Sequence, residues 1–169
     1  DLLRAYCKVR SRIPKVALVL VGDGPDKTCF QELVRQLRLE GVHFTGWIEN
    51  RMVGKYYAIG DIFVLPSHRD VWGKVINEAM VFGLPIITTK DVGAHYDLVR
   101  NGQNGFVIET GNVEALADAI VALCENKELR VSMGAKSLEI IEQWNIEAAI
   151  DGLISALINS GVEPRLLGK

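Results

Sequence analysis

Lys15 to Glu40 reads KVALVLVGDGPDKTCFQELVRQLRLE, and this stretch decides the fold. Val16 to Val21 is an unbroken run of Val, Ala and Leu that ends at Gly22, Asp23, Gly24 and Pro25. Such a run predicts a strand over Lys15–Val21 buried on both faces, followed by a turn. Phe30, Leu33, Val34 and Leu37 then recur at i, i+3, i+4 and i+7. That spacing predicts an amphipathic helix over Asp26–Glu40, with Gly41 closing it.

The same alternation extends outward in both directions. Upstream, Leu2, Leu3, Tyr6 and Val9 stand at helical spacing within Asp1–Arg12, and Ile13-Pro14 stops the helix. Downstream the reading is strand Val42–Thr45, helix Arg51–Ile59, strand Asp61–Leu65, helix Lys74–Phe82, strand Ile86–Thr89, short helix Ala94–Val99 and strand Gly105–Ile108. Helices near Val113–Glu125, Glu128–Ile141 and Ile146–Ile158 finish it. Strands alternating with helices call for right-handed crossovers and a parallel sheet with helices on both faces, a doubly wound, Rossmann-like α/β domain. In that scheme a leading helix follows a strand, so a further strand upstream is expected.

With 169 residues, 49% hydrophobic and 24% charged, the chain has the size and composition of one compact domain spanning 1–169. The net charge is −2 and the Lys and Arg residues are dispersed, so nucleic acid is not an expected partner. The Val16–Val21 run is far short of the roughly 20 residues needed to cross a bilayer, and no signal-peptide pattern opens the sequence. Cys7, Cys29 and Cys124 are odd in number and lack CxxC spacing. They fit thiols in a reducing cytosol better than disulfides or zinc ligands, and no metal site is predicted.

Ligands of doubly wound sheets sit beyond the carboxyl ends of the strands, which directs attention to the loops at Gly22, Gly46, Ser67, Lys90 and Glu109. The loop Pro66–Gly73 is the richest: Ser67, His68, Arg69 and Asp70 lead through Val71, Trp72 and Gly73 into a helix. Glycine at a helix start admits a ligand to the backbone, and the free amides of the first turn favour phosphate. Glu78 lies among Val75, Ile76, Ala79, Met80 and Phe82, where a carboxylate needs a partner such as ribose hydroxyls. A second reading stays open, in which Asp70 or Ser67 only caps the helix and Glu78 pairs with Lys74 at the surface.

Gly22-Asp23-Gly24-Pro25 is either a phosphate loop or a plain turn, since it has neither GxGxxG nor GxxxxGK[ST] spacing. His43 is read as a core or edge residue of its strand. His68 and His95 fall at the binding edge, where substrate contact and simple solvation are both open. Tyr56 and Tyr57 are read as packing residues.

Asp70 to Pro85, DVWGKVINEAMVFGLP, resembles the E-x7-E segment of GT-B glycosyltransferases of retaining family 4, also called group 1. Leu18–Pro25 is similar to that family's strand and Gly-x-Gly-Pro turn, Val42–Gly46 to its strand ending in Phe-x-Gly, and Asp61–Ser67 to its strand ending in Pro-Ser. Gly93–Gly105 and Gly111–Leu116 also match in order, so the resemblance covers nearly the whole chain. Asp70 stands for the first glutamate, one methylene shorter, while Ala94 and Asp97 replace a glycine and a glutamate downstream.

The resemblance implies the C-terminal, donor-binding half of a GT-B enzyme that transfers a sugar, with retention and without a metal, from a nucleoside-diphosphate sugar to a hydroxyl acceptor in glycan or polysaccharide biosynthesis. It implies Asp70 and Glu78 as the catalytic-site carboxylates, Asp70 at the donor sugar and Glu78 at the ribose. Trp72, Gly73, Lys74 and Val75 would line the diphosphate together with Gly22, Gly24 and Ser67, and the base would rest near Trp47 and Ile48. No cofactor beyond the donor is implied. The acceptor-binding N-terminal domain, with the upstream Arg and Lys of the family, is expected outside this sequence. A cytoplasmic parent, with membrane association left open, is the expected location. Two alternatives are a receiver-like α/β binding module and a GT-B nucleotide-sugar epimerase. The first wants an acidic pair after the first strand and an Asp after the third, where this chain has Asp23 and Pro66-Ser67. Product analysis on a full-length protein separates the second.

Overall fold

The computed structural model describes residues 1–160, so the last nine residues of the expected domain lie outside the described residues. In chain order the elements are α1 (Leu2–Arg12), β1 (Leu18–Leu20), α2 (Lys27–Gln36), β2 (Val42–Phe44), α3 (Asn50–Ile59), β3 (Phe63–Leu65), α4 (Lys74–Val81), β4 (Ile86–Thr89), α5 (His95–Leu98), β5 (Gly105–Ile108), α6 (Val113–Glu125), α7 (Lys127–Glu142) and α8 (Ile146–Asn159). Every predicted element is present with its predicted type. The strands are parallel, as crossover helices require.

β3, β4 and β5 form one sheet, in which Phe63 pairs with Ile86 and Ile86 with Gly105. The period of two along a strand divides its side chains between two cores. Phe63, Leu65, Ile86 and Val107 join Ile76, Met80, Leu98 and Ile140 on one face. Val64, Ile87, Phe106 and Ile108 join Ala5, Val9, Leu116, Leu123 and Met133 on the other. Helices α4 and α5 therefore cover one face and α1 and α6 the other, which is the doubly wound layering, while α7 gives Ile140 to the first core and Met133 to the second. All of β4 is buried.

β1 and β2 pair only with each other, Leu18 opposite Val42 and Leu20 opposite Phe44. The single continuous sheet of the sequence reading is thus two sheets. In the doubly wound order 3-2-1-4-5-6 a central strand belongs between the places held by β1 and β3, and among the described residues no strand fills it.

Burial on both faces of β1 is corrected for the same reason. Val19 and Val21 are 40% and 44% exposed, because an apolar strand is covered only where neighbours exist. Helix α2 likewise buries none of its residues fully. It ends at Gln36 rather than Glu40, since Arg38 adopts a left-handed φ of 50° and the Leu39 amide turns back to the Val34 carbonyl. One tie between α1 and this smaller sheet is explicit: the Tyr6 hydroxyl lies 2.9 Å from the Val16 carbonyl and 3.0 Å from that of Glu40.

Candidate functional site

The loop after β3 is held from below by β4. Thr88 donates its hydroxyl to the Leu65 carbonyl at 3.0 Å and Thr89 to the Ser67 carbonyl at 2.5 Å. Further along, the Asp70 amide donates to Asp91, the Gly93 amide to Asp70 and the Ala94 amide to Trp72. This clamp leaves no room for a side chain at Gly93, where a Cβ would lie 2.0 Å from the Val71 carbonyl oxygen. The half-buried Asp70 accepts the Trp72 amide on Oδ1 at 3.1 Å. Asp70 therefore shapes the turn before α4 without capping the helix, so the capping reading does not hold, and it leaves Oδ2 for another donor.

Gly73 precedes α4 with φ of 85°, a left-handed conformation that suits glycine. Sequence reasoning assigned its missing side chain to ligand approach. The structure assigns it to packing: a Cβ there would lie 2.6 Å from Val92 Cγ1 and 3.2 Å from Leu65 Cδ2. Trp72 likewise brings no free amide, because its N–H is bound to Asp70. Its indole donates to Asn77 at 2.9 Å and meets Trp144 at 5.8 Å between ring centres.

The amino end of α4 remains open. Side chains of Asn112, Asn126 and Asn145 cap α6, α7 and α8, whereas no side chain caps α4, nor α1, α2, α3 or α5. The amides of Gly73, Lys74 and Val75 make no hydrogen bond among the described residues. Unpaired first-turn amides with the helix dipole behind them attract anions.

Glu78 sits one turn beyond. Its Oε2 accepts the Tyr57 hydroxyl from α3 at 3.0 Å, and Lys74 reaches Oε1 only at the outer limit of an ion pair, 4.0 Å, with its side chain 84% exposed. The surface pair weighed from the sequence exists but is the weaker contact, because an exposed, loosely placed pair contributes little. Tyr57, read as packing alone, does pack on Phe63 and Phe82, and also supplies the chief partner of Glu78. Its phenol is held well above the ordinary tyrosine range, first by burial and then by the Glu78 carboxylate, so it donates and does not ionise. Glu78 also lines a cleft of about 600 Å³ with Asn77, Val81, Ile141, Glu142 and Trp144.

The loops after β1 and β2 meet through an antiparallel bridge between Gly22 and Gly46. Here the plain-turn reading describes the contacts. The Gly22 amide donates to Thr45 Oγ1 and the Gly24 amide to Asp23 Oδ1, so neither is free for phosphate. Lys27 binds the other Asp23 oxygen at 2.8 Å and holds that exposed carboxyl below its usual range, helped by the Gly24 amide. Trp47, beside Gly46, is 75% exposed, and Ile48 is half-buried. At the far end of the edge Lys90 pairs with Glu109, which raises the Lys90 ammonium above its ordinary range.

Of the histidines, His43 is exposed on β2, His68 contacts Asp1 at 2.5 Å, and His95 is tied to the Val92 carbonyl at 2.8 Å. The three cysteines are free, and no group of three metal-type ligands occurs among the described residues. No described helix is long and apolar enough to cross a membrane.

Fold and edge together define a class, a Rossmann-like α/β domain whose polar loops gather at the carboxyl ends of parallel strands around an uncapped helix. Comparison with known proteins makes this specific. The family described as glycosyl transferases group 1 matches residues 1–139, and the chain belongs to that family.

Over 152 residues the chain is 32% identical to N-acetyl-alpha-D-glucosaminyl L-malate synthase of Bacillus anthracis, covering 89% of this chain and 39% of that protein. Among solved structures it is similar to Anabaena HepE in complex with UDP, with a TM-score of 0.77 and 27% identity, covering 92% of this chain and 44% of that one. It also shares the fold of the C-terminal domain of a glycosyl transferase group 1 family protein, LpcC, from Francisella tularensis. That TM-score is 0.76 at 23% identity, covering 85% of this chain and 80% of the other. The C-terminal domain of a GT-B glycosyltransferase fits these matches. The chain spans about two-fifths of the length of curated relatives such as the malate synthase. Family membership replaces the receiver-like alternative.

Proposed function

We propose that this chain is the donor-binding domain of a retaining glycosyltransferase that moves a sugar from a nucleoside-diphosphate sugar to a hydroxyl acceptor in glycan or polysaccharide assembly. The observation that carries the reading is the uncapped amino end of α4, with Glu78 one turn in and Asp70 just before it. The diphosphate rests on the amides of Gly73, Lys74 and Val75 and the Lys74 ammonium, Glu78 takes the ribose hydroxyls, and Asp70 meets the donor sugar through Oδ2. The exposed indole of Trp47, with Ile48, forms a platform for the base. Gly22 and Gly24 bound the crevice with open Cα faces, and Ser67 lines it from β3.

Charge develops on the departing diphosphate during transfer, so fixed amides and a cation there lower the barrier without a metal. An N-terminal domain supplies the acceptor site in a cytoplasmic parent. HepE, crystallised with UDP, supports a nucleoside diphosphate as the core of the ligand.

The test is calorimetric titration of the chain with UDP, GDP, ADP and their sugars. Binding of one nucleoside diphosphate is expected, with no transfer by the isolated chain. Glu78→Ala should weaken that binding roughly tenfold or more while the melting temperature of the free protein changes little. Equal loss of stability with unchanged affinity contradicts the ribose role.

A further inference from the structure

Tyr57 is an unusual partner for Glu78, and its placement rests on two aromatic contacts and one absence. Its ring meets Phe63 at 5.8 Å and lies nearly parallel to Phe82 at 5.5 Å between centres. The Phe82 ring can approach because Gly54, one turn before Tyr57 on α3, has no side chain; a Cβ there would lie 3.1 Å from Phe82 Cζ. Two rings thus fix the phenol, and the phenol in turn holds one carboxylate oxygen of Glu78 at 3.0 Å. Helix α4 by itself does not fix that carboxylate, since Lys74 is loose and exposed.

We infer that Tyr57 is a positioning residue, one that locks the Glu78 carboxylate into the rotamer that receives ribose hydroxyls. This inference rests on the ribose role proposed for Glu78. A free glutamate side chain samples several rotamers, and ordering it on ligand binding costs conformational entropy. A carboxylate has about four acceptor sites. The phenol occupies one of them, so acceptors remain on both oxygens for the two ribose hydroxyls. The raised phenol range agrees with a permanent donor at the pH of binding experiments.

A second consequence concerns specificity. Tyr57 belongs to α3, the helix that follows Trp47 and Ile48. The contact between Tyr57 and Glu78 therefore also sets the distance between the base platform and the ribose anchor. A ligand with ribose and base in the correct spacing meets both without rearrangement, which is the meaning of preorganisation.

The experiment uses Tyr57→Phe, which keeps the ring and its stacking and removes only the hydroxyl. Affinity is measured for the nucleoside diphosphate that the chain binds and for its 2′,3′-dideoxy analogue. The inference expects Tyr57→Phe to weaken the ribonucleotide on the order of tenfold and to leave the dideoxy analogue within about twofold, with little change in melting temperature. The cycle is closed with Glu78→Ala. Once Glu78 is absent, adding Tyr57→Phe should cost no further ribonucleotide affinity.

Equal loss for both ligands, or full additivity with Glu78→Ala, assigns Tyr57 to packing of α3 on α4 and overturns the inference while leaving the ribose role of Glu78 standing. Glu78→Ala that weakens the ribo and the dideoxy ligand by the same factor, leaving their difference intact, overturns both. Should Tyr57→Phe fail to fold, the dideoxy comparison on Tyr57→Leu with a matched melt gives the same division, since a packing defect weakens the two ligands alike.

Discussion

The sheet β3–β4–β5 and the sheet β1–β2 are made from the same unit, a strand feeding a helix, yet they are packed very differently. Around β4 both faces are sealed: Ile86, Ile87, Ile76, Met80 and Leu116 are essentially without solvent contact. Around β1, Val19 and Val21 remain substantially exposed, and neither α2 nor α3 has a fully buried residue. Burial of a Val or Leu side chain contributes about 1.5–3 kcal/mol, so the larger sheet carries most of the stability. The two halves nevertheless contribute to one edge. The packed half supplies α4 with its open amides and Glu78, and the loose half supplies the Trp47 loop. Ligand-binding loops come from the less stable parts of a fold because they must move, and a ligand touching both halves joins them.

The comparison breaks most visibly in the core. Ile76→Ala should lower stability by about 2–5 kcal/mol, read by urea denaturation. A value below about 1 kcal/mol would mean that the packed half is not as tight as its burial indicates. Tyr6→Phe comes next. It removes a hydroxyl donor shared by the carbonyls of Val16, Glu40 and Gly41, which ties α1 to the smaller sheet. A cost of about 1–2 kcal/mol is expected, with amide hydrogen exchange rising first in β1 and β2. Exchange that rises uniformly would argue for one cooperative unit.

Phe30→Ala, on the 47% exposed stripe of α2, should cost less than about 1 kcal/mol. A larger value would show that α2 packs against something the exposed surface does not reveal. The smallest effect is electrostatic. The Asp23 carboxyl is depressed in the folded state, mainly by Lys27. Its contribution is therefore present above the ordinary aspartate value of 3.8 and is lost as pH falls through the lower folded value. Because the pair is exposed, Asp23→Asn should change only the acid limb below about pH 4, visible as a change in fluorescence of the neighbouring Trp47. A change centred near neutrality would contradict the assignment.

Much of this was readable from residue types alone, and the failures share one cause. Strand and helix types are legible because the Phe30, Leu33, Val34, Leu37 stripe carries the helical period, and because Val16–Val21 is a short apolar run closed by Gly22 and Pro25. The burial of β1 is not legible, because an apolar run reports that a strand can be covered and says nothing of which neighbour covers it. Gly73 shows the same limit. A glycine before a helix marks a left-handed turn and a close approach, and the approaching group is Val92, placed there by a loop that ends 19 residues away along the chain. The Tyr57 contact lies 21 positions from Glu78 on a different helix, beyond any spacing rule. Asp70 and Glu78 stand out by residue type and by their place around the start of α4, and the family-like segment adds their roles, since spacing alone leaves a surface pair and a binding pair equally open.

The most direct test is to follow backbone amide resonances during titration with the nucleoside diphosphate that binds. The largest shifts are predicted at Gly73, Lys74 and Val75, whose amides are free, with the Trp72 amide shifting less because Asp70 already holds it. Largest shifts around Ser132, Lys136 and Glu139 of α7, with α4 unmoved, would contradict a diphosphate seated on that helix.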